Sequence, residues 1–143
     1  MTGLFTPIQL GGMTLSNRVV IAPMCQYSAD DGCMNDWHLA HLSSMAISGA
    51  ALTVMEATAV RREGRITHGC PGLWCDEQVA DWRRITEWVH TKTPAKIGIQ
   101  LGHAGAKGST CRPWQGAGMD QPLPEGEGEC NWPLMRSEEH TSE

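Results

Sequence analysis

The chain has 143 residues, 41% hydrophobic and 19% charged, with a net charge of −5 and a pI near 5.6. That length suits one domain, the composition is that of a folded globular protein, and the acidic balance excludes a general nucleic-acid footprint. No run approaches the roughly 18 uninterrupted apolar residues of a membrane span, and Met1–Phe5 lacks the basic and apolar regions of a secretory signal, so a cytoplasmic location is expected.

In chain order, Ile8 to Leu15 reads as a hairpin turning at Gly11-Gly12. Arg18 to Met24 follows as a strand, apolar on both faces. A helix comes next, behind an N-cap at Asn35 or Asp36, with Leu42, Met45, Ala46 and Gly49 repeating at i, i+3, i+4 and i+7. Ala51 to Glu56 is a second buried strand. Arg61, Arg62 and Arg65 read as a solvated loop. The second helix carries Val79, Trp82, Ile85 and Val89 as its stripe, with Asp76 and Glu77 in the first turn and Pro94 as its stop. Lys96 to Leu101 is the third strand. Residues 116–128, rich in Gly, Pro and Glu, form an exposed loop. The last eight residues, 136–143, hold no apolar residue and resemble the translation of a short-read sequencing adapter. They read as a non-native tail behind a native segment 1–135.

Strand, helix, strand, helix, strand is the order of an α/β protein with a parallel sheet. A dinucleotide-binding doubly wound sheet wants Gly-x-Gly-x-x-Gly after its first strand. Here that strand runs into Pro23-Met24-Cys25-Gln26-Tyr27. A (β/α)8 TIM barrel fits better. It takes about 250 residues, so this chain represents an N-terminal hairpin plus about the first three βα units. An isolated piece of this kind is not expected to fold stably, because its sheet edges and apolar faces lack their neighbours.

Barrel function sits at the carboxyl ends of the strands. Those positions are Ala22 to Tyr27, Glu56 to Val60 with Glu63 to Thr67, and Gln100 with His103 to Gly105 and Lys107. Met24, Val54 and Ile99 suit a core. Cys25 suits either a small buried hydrophobe or a functional thiol, and Gln100, ending a buried strand, needs a hydrogen-bond partner. His38 and His41 share a helix face, but with His68, Cys70 and Cys75 they lack zinc-ligand spacing, so no metal is expected. The six cysteines contain no Cys-x-x-Cys and read as reduced thiols. The tryptophans read as packing for the helix layer and a loop.

Nine segments in register carry a family resemblance. They are Leu4–Ile8, Leu15–Val19, Ala22–Tyr27, Asp36–His38, Glu56–Val60, Glu63–Thr67, Gly98–Leu101, His103–Gly105 and Arg112–Trp114. Over about Leu4 to Pro133 the chain resembles the Old Yellow Enzyme family, and the Cys25/Tyr27 pair resembles its thermophilic-like branch, which includes xenobiotic reductases. The resemblance implies an FMN-dependent ene-reductase that uses NAD(P)H to reduce activated alkenes, such as α,β-unsaturated carbonyls and nitro compounds. It implies that Ala22, Pro23, Met24 and Cys25 run along the flavin, that Ala57 packs close to the ring, and that Gln100 bonds its pyrimidine edge. Tyr27 would border the substrate. The histidine clamp, the tyrosine acid and the phosphate site of the family would lie beyond Met135, so no catalytic residue maps here.

The resemblance also implies a homo-oligomer when the barrel is complete. Ala106 stands where the family usually has arginine, which removes a fork of donors, and Gly102 replaces a common alanine. Three alternatives stand beside this reading: the barrel of an iron–sulfur flavoenzyme such as a 2,4-dienoyl-CoA reductase, a zinc module using His38, His41, Cys70 and Cys75, and a fragment without activity.

Overall fold

A computed structural model of the protein describes residues 3–115, 121–125 and 131–134. The proposed tail at 136–143 and most of the exposed loop at 116–128 lie outside them.

The chain opens with the hairpin expected from Gly11-Gly12. Strands β1 (Ile8–Leu10) and β2 (Met13–Leu15) pair antiparallel, with Ile8 opposite Leu15 and Leu10 opposite Met13. Gly11 has φ +54, a left-handed conformation that glycine adopts without cost.

A parallel sheet follows, built from β3 (Val20–Ile21), β4 (Leu52–Ala59) and β5 (Lys96–Gly102) in the order β3-β4-β5. Each strand lies beside the next in sequence, so the sheet grows in one direction without the reversal of a doubly wound fold. β3 is much shorter than Arg18 to Met24. Its ladder covers only Val20 against Leu52 and Ile21 against Thr53, and Pro23, with no N–H to donate, ends it.

Helices α1 (Asp36–Ala46) and α2 (Val79–Lys92) connect the strands and pack on the sheet and on each other. Asn35 is the N-cap of α1: its side chain accepts the Trp37 N–H at 3.1 Å. His38 takes the reciprocal role of a capping box, its Nδ1 accepting the Asn35 N–H at 3.2 Å. Gly49, expected on the helical stripe, falls beyond the end of α1 in a turn with φ +95. Asp76 and Glu77 form a separate 3-10 turn just ahead of α2. Thr93 caps the other end, and Pro94 follows it.

The core lies between this sheet face and the helices. Met34, Leu42, Met55, Trp82 and Ile85 form its centre, with Ile97 and Ile99 packed against them. Trp82 also donates its indole N–H to the Gly72 carbonyl at 2.9 Å, so a large ring is buried without an orphaned donor. The opposite face of the sheet is open. Leu52, Val54 and Ala57 are half-buried on it, while Met24, expected in the core, lies in the loop past β3 and is 44% exposed. No second layer covers that face among the described residues, which is why strands apolar on both faces are buried on one only.

The arginine loop also departs from expectation. Arg65 is 4% exposed. Its guanidinium lies 5.4 Å from the Trp74 ring and 5.2 Å from that of Trp132, and it pairs with Asp31 at 3.3 Å. Arg62 grips the same carboxylate, with 2.7 Å from Nη1 to Oδ2. A planar, weakly hydrated cation between two indoles can be buried where an ammonium could not.

Candidate flavin site at the strand ends

The carboxyl ends of β3, β4 and β5 meet at one end of the sheet. β4 is bulged there. Met55 pairs with Ile99 and Ala57 with Gln100, so Glu56 has no partner in the ladder. The extra residue restores the alternation in a new phase: Met55 faces the helices, while Ala57 stands beside Gln100 on the open face.

Ala57 and Gln100 line a cleft of about 220 Å³ together with Gly64, Ile66, Cys70 and His103. Gln100 is exposed, and its amide has no protein partner among the described residues. An amide left open at a small-residue patch can both donate to and accept from a planar ligand. Ala57, with only a methyl group, leaves room for a ring. These residues therefore fit the polar edge and the face of a flavin.

Cys25 is half-buried, close to Ala57 and Tyr27. Burial pushes the thiol above its ordinary range, and the neighbouring Cys70 and Glu56 push it the same way. It stays a neutral thiol at neutral pH and is no nucleophile there. Tyr27 adopts a left-handed backbone, φ +51, which is uncommon for an aromatic residue. Its ring meets Trp114 edge-on, with centroids 6.4 Å apart.

Behind Tyr27 the turn Thr67–Cys70 comes so close that a Cβ on Gly69 would lie 2.1 Å from the Tyr27 carbonyl oxygen. Only glycine permits that approach. Ala29 donates its N–H to the Gly69 carbonyl at 2.9 Å, closing the contact.

Ala22 and Met24 lie apart from the cleft. They line a narrower space against α1 beside His41 and Met45. His103 lies against Gly64 and accepts the Gly105 N–H at 3.1 Å. Ala106 is exposed on the short turn Gly105–Lys107. Among the described residues, no three His, Cys, Asp or Glu side chains converge as metal ligands, and no helix is long and apolar enough to cross a membrane.

Glu56 is the polar group that strand reading did not single out. It is 6% exposed, and its Oε2 accepts the Gln26 N–H at 2.9 Å. Burial pushes its carboxyl up to about 7, against the pull of the Gln26 and Tyr27 N–H groups. The signal in the sequence is a carboxylate inside Val54-Met55-Glu56-Ala57, since a buried charge demands partners.

Parallel strands added in sequence, helices on one face and a cleft at the strand ends define the opening units of a β/α barrel with its site where barrel enzymes carry theirs. A profile of the NADH:flavin oxidoreductase / NADH oxidase family matches residues 3–141, and the chain belongs to that family. It is 50% identical over 113 residues to an NADH:flavin oxidoreductase of Gibberella zeae, covering 79% of this chain and 27% of that protein. It is 47% identical over 106 residues to an NADPH dehydrogenase of Bacillus subtilis, covering 73% and 31%. The chain thus spans about a third or less of these relatives. Among solved structures, morphinone reductase superposes with a TM-score of 0.69 at 36% identity, over 75% of this chain and 28% of the other. The Old Yellow Enzyme from Pichia sp. AKU4542 gives 0.70 at 31% identity, over 76% and 28%. The open sheet face is the one that such barrels enclose.

Proposed function

We propose that this chain forms the first-strand side of the FMN pocket in an ene-reductase of the thermophilic-like branch, the remaining barrel strands being supplied by further chain. The observation that carries the reading is the Ala57–Gln100 pair: a small side chain beside an unpartnered amide, facing the cleft at the strand ends. The unpaired outer edges of β3 and β5 support the same reading.

FMN, when bound, supplies hydride transfer from NAD(P)H to the β-carbon of a small activated alkene, an α,β-unsaturated carbonyl or a nitro compound. The residues of this chain orient and select. Gln100 holds the pyrimidine edge, and Ala57 sets how closely the ring approaches the sheet. Ala22, Pro23, Met24 and Cys25 offer backbone groups along the flavin. Cys25 stands near the reactive ring nitrogen as a neutral thiol, which tunes the site without attacking. Tyr27, with Trp114 behind it, walls the substrate side and offers a hydroxyl donor. The groups that polarise the carbonyl and protonate the α-carbon lie in the later strands on this reading, and family resemblance supports a cytoplasmic homo-oligomer.

Expression of the full-length protein tests it. A yellow protein whose flavin absorbance bleaches with NADPH and recovers on adding cyclohexenone is expected. A protein that binds no FMN when reconstituted would sink the reading.

A further inference from the structure

The loop after β3, which carries Cys25 and Tyr27, is not held by the sheet. Past Ile21 it has no ladder partner, and Tyr27 sits in a conformation that needs outside support. What holds it is a chain of side-chain contacts running from α1 to the bulge of β4.

At one end the Asn35 side-chain amide donates to the Ser28 carbonyl at 2.8 Å. His38 Nδ1 lies 3.2 Å from the Asn35 backbone nitrogen and 3.1 Å from the Asn35 side-chain oxygen, so Asn35 orients the ring. His38 Nε2 faces Glu56 Oε1 at 3.7 Å, beyond hydrogen-bond reach, and has no hydrogen-bond partner among the described residues. The other carboxylate oxygen receives the Gln26 N–H at 2.9 Å, and the Tyr27 N–H converges on the same carboxylate. Trp37, also on α1, donates its indole N–H to the Gln26 side chain at 3.1 Å. Both ends of the segment 26–28 are therefore tied to one network, buried at His38 and Glu56 and exposed at Asn35 and Trp37.

We propose that Glu56, braced by His38, is a positioning residue that fixes the 25–27 loop and so sets where Cys25 and Tyr27 stand against flavin and substrate. This deepens the flavin reading of the site and rests on it.

The chemistry selects a glutamate. Two successive backbone N–H groups point at this side chain, and a carboxylate has acceptor capacity for both, while the His38 ring stands against its other side. Glutamine has one acceptor oxygen and would turn its own amide protons toward one of these donors. Aspartate keeps the charge but is one methylene too short to reach. The bulge turns Met55 and Glu56 both away from the cleft that Ala57 lines, so Met55 packs in the core while Glu56 faces the loop. The ionisable groups around Glu56 are His38 and His41 on α1, Cys25 in the loop and Cys70 in the turn after β4. Its negative charge holds the Cys25 thiol up.

Two variants of the flavin-loaded full-length protein separate charge from reach. Glu56→Gln is expected to keep stoichiometric FMN and to shift the pH profile of Cys25 alkylation, followed by peptide mapping with iodoacetamide, to lower pH. Its KM for cyclohexenone should rise about tenfold, more than kcat falls, because Tyr27 is displaced. Glu56→Asp should leave the alkylation profile in place while raising KM by a similar factor. Parent-like KM and alkylation profile in Glu56→Gln overturn the proposal. So does loss of the cooperative melting transition in both variants, which would mark Glu56 as merely structural. The alkylation profile can also be read in the flavin-free protein. A parent that binds no FMN but shows the Cys25 shift would thus sink the flavin reading and leave the positioning role standing.

Discussion

The two faces of the β3-β4-β5 sheet are built from the same strands and do opposite things. On the helix face, Met55 opposes Ile99 and both pack with Trp82 and Ile85 in the core. On the other face, Ala57 opposes Gln100, and both look into a cleft. One extra residue, Glu56, separates the packed pair from the open pair. Stability resides on one face, recognition on the other, and the bulge lets a single strand serve both.

The largest test of that division is to express the 143-residue chain alone. Among the described residues its open face and both outer sheet edges lack neighbours, so no cooperative thermal transition is expected by calorimetry. A sharp transition with bound FMN would show that the open face needs no cover.

Within the full-length protein, Trp82→Ala should cost about 3–5 kcal/mol in urea unfolding, by removing a buried ring and its hydrogen bond. FMN affinity should follow only through the fraction folded. Arg65→Lys should cost about 1–2 kcal/mol, because an ammonium cannot stack between Trp74 and Trp132 while pairing with Asp31. An unchanged melting temperature would make the double indole contact incidental.

Gln100→Leu probes the other face. It should weaken FMN binding about tenfold, the worth of one neutral hydrogen bond with some loss of orientation, and leave stability unchanged. Fluorescence titration against thermal melting separates the two.

The smallest expected effect is in pH dependence. Burial raises Glu56 from 4.5 to about 7, so the folded state binds more protons than the unfolded across that window. The stability Glu56 contributes is present at low pH and is lost as pH rises toward 7. Burial lowers His38 from 6.5 to about 4, with His41 adding to it, so its contribution is present above 6.5 and is lost as pH falls toward 4. Between 4.5 and 6.5 the two slopes oppose each other, and the parent's stability should be nearly flat there. His38→Gln keeps a capping-box residue at the start of α1 and leaves Glu56 uncompensated, so stability should decline from about pH 5 to 7. Glu56→Gln should reverse that slope. Melting temperatures across the range decide it.

Local patterns were legible in the sequence. Gly11-Gly12 needs only the chain beside it to turn, Asn35 caps a helix through the Trp37 N–H two residues on, and the stripe of Trp82, Ile85 and Val89 is periodicity. The β4 and β5 segments announced themselves as short apolar runs, and Ala57 and Gln100 stood at their ends. The flavin assignment of these residues came from the family resemblance of nine segments, not from periodicity.

What only the tertiary structure decided depends on partners distant in the chain. Arg65 reads as solvated until Trp74, Trp132 and Asp31 surround it. Met24 reads as core until its place in the loop past β3, beside α1, leaves it exposed. Glu56 reads as the last residue of a strand until the register slips by one and turns it onto the loop of Cys25 and Tyr27. A strand's own sequence specifies its alternation, whereas a bulge is specified by the neighbour it fails to match.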